Sequence, residues 1–182
     1  MVFTGHQKKD AINVTKVKGS NMDVRKYAKF EHDDQKYGNM PFIYHLDMVA
    51  DVVSKYGEVA RYVAYLHDIL EDTNAGKHTL EMIFGKRIAD LVFIVTDEDG
   101  PNRTERKRLT NIKLGNVVGG SEIALVVKAA DRLSNVTESF LKGRISFLKM
   151  YKKEHDEFKV AVYREGLCDE IWDRLDKIME II

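Results

Sequence analysis

The densest run of ionisable side chains in the sequence is His67-Asp68-Ile69-Leu70-Glu71-Asp72. Imidazole nitrogens and carboxylate oxygens are ligands for divalent ions, and a carboxylate can also take a proton from water. At helical spacing Glu71 lies one turn beyond His67, and Asp68 and Asp72 form a second such pair. His67 shares its stripe with Val63 and Leu70, so it points inward or into a cleft. Four such groups at the end of an apolar helix are costly unless a cation compensates them; the alternative is a solvated helix terminus. His45 follows Pro41-Phe42-Ile43-Tyr44 and precedes an apolar face, as a ligand or as a satisfied core histidine. Asp131 lies in the apolar run Ala124–Val136, with Asn135 one turn further on the same face. It is either a ligand or the ion-pair partner of Lys128 or Arg132. Together, two histidines and two aspartates from three helices make a two-nitrogen, two-oxygen set. Such a set suits a divalent transition ion and leaves positions open for water and substrate. Glu71 and Asp72 then stand where they could position or deprotonate the attacking water.

These residues need helices to position them, and the apolar period supplies helices almost throughout. The spacing predicts a first helix from Met22 to about Gln35. A turn at Tyr37–Pro41 follows, then helices over Phe42–Lys55, from Glu58 through Leu70, and over Lys86–Thr96 and Glu105–Leu114. Thr79 is expected to cap a short helix ending at Gly85, and Ser121 a long one from Glu122 to Ser139. The tail reads as helical stretches near Phe158–Tyr163 and Asp169–Ile181. Residues 1–21 are weakly patterned and read as an N-terminal extension, with a short strand around Ile12–Val17; residues 22–182 read as one compact, single-domain, all-α bundle.

Composition narrows the classes. With 182 residues, 29 basic and 29 acidic side chains and only two prolines, the chain fits one soluble helical domain. Zero net charge argues against a general binder of nucleic acid or membrane surface, so any anion site must be local. The single cysteine, Cys168, builds neither a disulfide nor a thiolate metal site. No apolar run is long enough to span a membrane and the N-terminus lacks a signal-peptide core, so a cytoplasmic protein is expected.

The order His45 … His67-Asp68 … Asp131 is similar to that of the HD-domain metal phosphohydrolases. The run His67-Asp68-Ile69-Leu70-Glu71-Asp72-Thr73 resembles the HDxxEDT signature of RelA/SpoT-type alarmone hydrolases. Pro41–His45, Phe84-Gly85, Val95–Asp97, Glu105–Arg108 and Lys128–Asn135 match further motifs in the same order, over about residues 24–165. No synthetase domain fits in the rest, so the resemblance is to the small stand-alone hydrolases of the metazoan SpoT-homolog type. It implies a helical bundle that uses Mn2+ to remove the 3′-pyrophosphate of a guanosine alarmone, a nucleotide substrate, with no nucleic acid or membrane partner. It places the metal ligands at His45, His67, Asp68 and Asp131 and the acidic catalytic pair at Glu71 and Asp72. Nucleoside and phosphate contacts fall to Asn135, Arg103 and Tyr151.

Two departures bear on specificity. The family often has Pro-Tyr-Ile-Asn-His-Pro where this chain has Pro41-Phe42-Ile43-Tyr44-His45-Leu46. Guanosine-directed relatives often carry an Arg-Lys pair after the first-helix histidine, where this chain has Lys36 and Tyr37 in a shorter loop. Those two become the substrate-contact candidates there, and weak discrimination between guanosine and adenosine alarmones is expected. Arg106, Lys107, Arg132, Arg144 and Lys149 are further candidates for local positive charge, although Lys107 and Arg108 also read as a solvated helix face. His155 reads as a surface residue. A broader HD nucleotidase or phosphatase, or a nucleotide-binding module without turnover, is the competing reading.

Overall fold

The computed structural model describes residues 22–182; the expected strand at Ile12–Val17 and the extension lie outside them. Among the described residues, ten α-helices, two short 3-10 turns and one two-stranded hairpin make up the fold. Helix α1 (Val24–His32) opens on Asp23, whose carboxylate accepts from the backbone N–H groups of Arg25 and Lys26. It ends at His32, three residues before the expected limit. The hairpin β1 (Lys36–Tyr37) and β2 (Met40–Pro41) then turns at Gly38-Asn39, with Gly38 at φ 61°. Next come α2 (Ile43–Val52) and α3 (Glu58–Leu66), the one-turn α4 (Ile69–Asp72), α5 (Lys77–Phe84) and α6 (Lys86–Val95). The remaining helices are α7 (Arg103–Gly115), α8 (Ile123–Leu141), α9 (Ile145–Val162) and α10 (Asp169–Ile181).

Helix α8 is the axis of the bundle. Ala124, Leu125, Val126, Val127, Ala129, Ala130, Leu133 and Val136 are all buried, and α2, α3, α6, α9 and α10 pack around it. A helix apolar on nearly every face must be enclosed, and its alanines let neighbours approach closely. The few polar side chains on such a helix either find partners or line a site. Helix α10 closes the far side with Ile171, Trp172, Leu175 and Met179.

Local expectations fail in three places. Helix α5 starts at Lys77 behind Gly76, so Thr79 lies inside it and caps nothing. Ser121 sits in a 3-10 turn and makes no side-chain cap to α8. Phe158–Tyr163 is the end of the continuous helix α9, whose inner stripe Leu148, Tyr151, His155, Phe158, Val162 passes through two polar residues. His155 is accordingly buried. It bonds Asp176 at 2.8 Å and packs against Trp172, instead of lying on the surface.

Candidate active site

The break between α3 and α4 builds the centre. His67 Nδ1 donates to the Ala64 carbonyl at 2.7 Å, so a side chain takes an acceptor that the continuing helix would use. With Nδ1–H committed there, Nε2 is the ring nitrogen that faces the cavity, where it takes either a proton or a cation. Thr73 then closes α4: its hydroxyl donates to the Ile69 carbonyl at 2.7 Å and accepts from Ala75 N–H at 3.0 Å.

His45 arrives from α2, its ring stacked on Tyr37 at 4.7 Å and edge-on to Phe42. His45 Nε2 lies 3.2 Å from His67 Nε2, 3.3 Å from Asp131 Oδ1 and 3.6 Å from Asp68 Oδ2. His67 Nε2 lies 3.1 Å from Asp68 Oδ2 and 3.6 Å from Asp131 Oδ1. Ligands held about 2.1 Å from one ion sit about 3.0–3.4 Å from one another, so this donor set fits a shared divalent cation. His45, His67 and Asp131 in particular each offer a ligand atom within 4.8 Å of the others. The electrostatics agree. Burial opposes charge on His67, but Asp68 and Asp131 overcome it and hold its pKa well above the ordinary value. Burial likewise opposes ionisation of Asp131, but the two histidines hold its carboxyl well below its usual range. The cluster stabilises positive charge at its centre.

Asp131 is free for this because its helix neighbours are engaged elsewhere. Lys128 reaches Asp97, and Arg132 reaches Glu154 at 3.2 Å. Asn135 Nδ2 donates to Asp131 Oδ1 at 2.6 Å, and the Tyr37 hydroxyl donates to Asn135 Oδ1 at 2.8 Å. Tyr37 thus touches both a histidine and the asparagine that steadies Asp131.

A cavity of about 270 Å3 opens beside the centre. Glu71 and Asp72 stand on its acidic side. Glu71 Oε1 accepts from the Asp97 N–H at 2.8 Å. Burial raises the pKa of both carboxyls, with Lys128 pulling Glu71 the other way and Asp68 adding to the rise at Asp72. Gln35 supports this turn, donating to the Asp72 carbonyl at 2.5 Å and accepting from His32 Nδ1 at 2.8 Å. The opposite wall is basic, formed by Arg103, Arg106, Lys107, Lys128 and Arg132, with Tyr151 beside them. Glu154 holds Arg103 at 2.7 and 3.1 Å, and the Arg132 guanidinium lies over the Tyr151 and Phe158 rings. Among the described residues Arg106 has no side-chain ion pair.

The structure therefore brings together ten of the eleven candidates. Lys36 is the exception. Alternation along β1 turns Tyr37 inward and leaves Lys36 exposed, outside the cavity lining. Lys107, in contrast, is no solvated helix face. It lines the cavity and pairs with Asp97 at 2.5 Å. Asp97 was legible only as the end of Val95-Thr96-Asp97; its role as the carboxylate shared by Lys107 and Lys128 needs the fold. The place opposite Gly38 is also not without a cation. The Arg144 guanidinium lies there, so close that a side-chain carbon on residue 38 would meet it at 2.6 Å.

No family model matches the chain. A curated relative from Drosophila melanogaster, guanosine-3′,5′-bis(diphosphate) 3′-pyrophosphohydrolase MESH1, is 32% identical over 124 residues, 64% of this chain and 68% of that protein. The chain belongs to the MESH1 family. A probable guanosine-3′,5′-bis(diphosphate) 3′-pyrophosphohydrolase of Mycoplasma pneumoniae is 34% identical over 140 residues, 70% of this chain but 18% of that longer protein. The fold superposes on a solved metazoan ortholog of SpoT that hydrolyses ppGpp. The TM-score is 0.71 at 26% identity, covering 87% of this chain and 92% of that one. The MESH1-family fold is therefore all-α in this chain too, with the hairpin as its one β element among the described residues. No described helix is long and apolar enough to cross a membrane.

Proposed function

We propose that this chain hydrolyses the 3′-pyrophosphate of guanosine 3′,5′-bis(diphosphate), releasing pyrophosphate and guanosine 5′-diphosphate. The observation that carries this reading is the convergence of His45, His67, Asp68 and Asp131 beside Glu71 and Asp72, in a member of the MESH1 family. Those four side chains would hold a divalent ion, manganese by resemblance. When bound, the ion draws charge from the phosphoryl oxygens and acidifies the attacking water.

The chain's own groups do the rest. Water attacks the phosphorus joined to the ribose 3′-oxygen, that P–O bond breaks, the leaving 3′-oxygen takes a proton from solvent, and the nucleotide departs with a 3′-hydroxyl. Glu71 is anchored through one oxygen by Asp97 N–H, which leaves the other to take the water's proton. The burial that raises its pKa makes it a stronger base than a solvated carboxylate. Asp72 orients the same water. Arg103, Arg106, Lys107 and Lys128 meet the substrate's negative charge, and Asn135 and Tyr151 face the nucleoside. The reaction is placed in the cytoplasm, with a nucleotide as its partner.

The rival reading is a broader nucleotidase using the same centre. Product analysis separates the two: pyrophosphate release supports the 3′-pyrophosphohydrolase, and orthophosphate release supports the nucleotidase.

A further inference from the structure

We propose that Tyr37 is a positioning residue of the metal centre, holding His45 by stacking and Asp131 through Asn135. The proposal rests on the divalent-ion reading of the site above and adds to it a residue that is not itself a ligand. The two histidines are steadied in different ways. His67 turns its outer nitrogen, Nδ1, onto the Ala64 carbonyl at 2.7 Å, the arrangement that ordinarily fixes the orientation of a ligand histidine. His45 has no such bond. Its Nε2 faces the centre, and among the described residues its buried Nδ1 has no hydrogen-bond partner. The final torsion of a histidine side chain is soft, so only packing can hold this ring in place.

Tyr37 supplies that packing. Its ring lies 4.7 Å from the His45 ring with 20° between the planes, and Phe42 meets the same imidazole at 5.8 Å and 70°. A stacked neighbour and an edge-on neighbour together define one plane for the ring between them. Phe42 is itself stacked on His32 at 4.4 Å. The stacked side depends on Tyr37.

The Tyr37 hydroxyl acts on a second ligand. A carboxylate only accepts, so the Asn135 amide turns its nitrogen to Asp131 and its oxygen to Tyr37, and Tyr37 must donate. The two bonds are 2.8 Å, Tyr37 to Asn135 Oδ1, and 2.6 Å, Asn135 Nδ2 to Asp131 Oδ1. That Asp131 oxygen is the one 3.3 Å from His45 Nε2. One side chain therefore braces a ligand on α2 and a ligand on α8. The hairpin aims it: Tyr37 pairs with Met40 across the turn, and the Phe42 N–H donates to the Gln35 carbonyl at 3.0 Å at its base.

The test is calorimetric titration with Mn2+ of the full chain, freed of metal by a chelator. The variants are Tyr37→Phe, Tyr37→Leu, Asn135→Ala and the double variant Tyr37→Phe/Asn135→Ala. Tyr37→Phe keeps the stack and cuts the relay, so Kd should rise by about 2–10-fold, the size of one hydrogen bond. Tyr37→Leu removes both contacts and should raise Kd by about 10–100-fold, the range for residues that orient metal ligands. In the Asn135→Ala background the relay is already cut, so Tyr37→Phe should change Kd by less than about twofold. Melting without metal checks folding; if Tyr37→Leu does not fold, Tyr37→Phe, which keeps the ring, decides with the double variant. Wild-type affinity in the Tyr37 variants, or an equal effect of Tyr37→Phe with and without Asn135, would overturn the proposal. So would unchanged Mn2+ affinity with a raised nucleotide KM, which would make Tyr37 a substrate contact. If wild type binds Mn2+ without cleaving the nucleotide, the hydrolase reading fails, and the titration still decides the role of Tyr37. If wild type binds no Mn2+, the metal centre and the role of Tyr37 in it both fall.

Discussion

Lys128 Nζ lies 3.1 Å from Asp97 Oδ1, across the bundle, and not against Asp131 one turn away on its own helix. The same ammonium donates to the Val95 carbonyl at 2.8 Å. This pairing fixes the loop after α6 to the central helix and leaves Asp131 to the histidines. Lys107 closes on the other Asp97 oxygen, so one half-buried carboxylate compensates the buried Lys128 ammonium and the half-buried Lys107 ammonium.

Asp97→Asn should therefore destabilise the fold by about 3 kcal/mol, because it leaves two cations short of their counter-charge. Urea unfolding at neutral pH measures this. The pH dependence has a defined sign. Burial would raise the Asp97 pKa, but Lys128 and Lys107 depress it far below the ordinary value. A depressed pKa gives stability that is complete above the unfolded value of about 3.9 and is lost as pH falls from there toward the folded value. Between about pH 5 and 3 the wild type should lose stability more steeply than Asp97→Asn. Parallel slopes would show that Asp97 is not the linked group.

The metal centre predicts a binding effect separable from catalysis. Manganese should raise the melting temperature of the wild-type chain, because ligands that bind only the folded state stabilise it. Asp131→Asn should show little or no shift at the same concentration. A full shift in Asp131→Asn would remove Asp131 from the ligand set.

Glu71→Gln should keep the fold and the manganese-dependent melting shift but lose turnover by roughly 10²–10⁴, the usual scale of general acid–base contributions. If the variant also loses the melting shift, Glu71 belongs to the ligand shell.

The ligand residues were legible because helical spacing and chain order put His67 and Asp131 on inward faces. A lone helix also shows its own pairs, which is why Asp131–Lys128 was a fair expectation. What one helix cannot show is a partner brought in by tertiary packing. Lys107 looked solvated because Asp97, its counter-ion, comes from the loop between α6 and α7, ten residues earlier in the chain. His155 looked exposed because the stripe of α9 uses Tyr151 and His155 as its apolar faces, which a search for aliphatic residues passes over. Lys36 was misplaced because a two-residue strand, not a loop, sets its direction.

The two cationic candidates nearest the ends of the site should separate. Arg103→Ala should raise KM, lowering kcat/KM by about tenfold or more, because a charge-assisted contact to phosphate is lost. Lys36→Ala should change kcat/KM by less than about twofold, as expected of an exposed charge remote from the cavity. Steady-state kinetics on the same substrate checks both, and a larger effect from Lys36 would contradict the geometry.

The most direct measurement is product analysis by phosphorus NMR after incubating the chain with guanosine 3′,5′-bis(diphosphate) and manganese. The expected products are guanosine 5′-diphosphate and pyrophosphate in equal amounts, with both abolished by a chelator and by Asp131→Asn. Orthophosphate as the released product, or turnover that persists undiminished in Asp131→Asn, would contradict a metal-dependent 3′-pyrophosphohydrolase built on these residues.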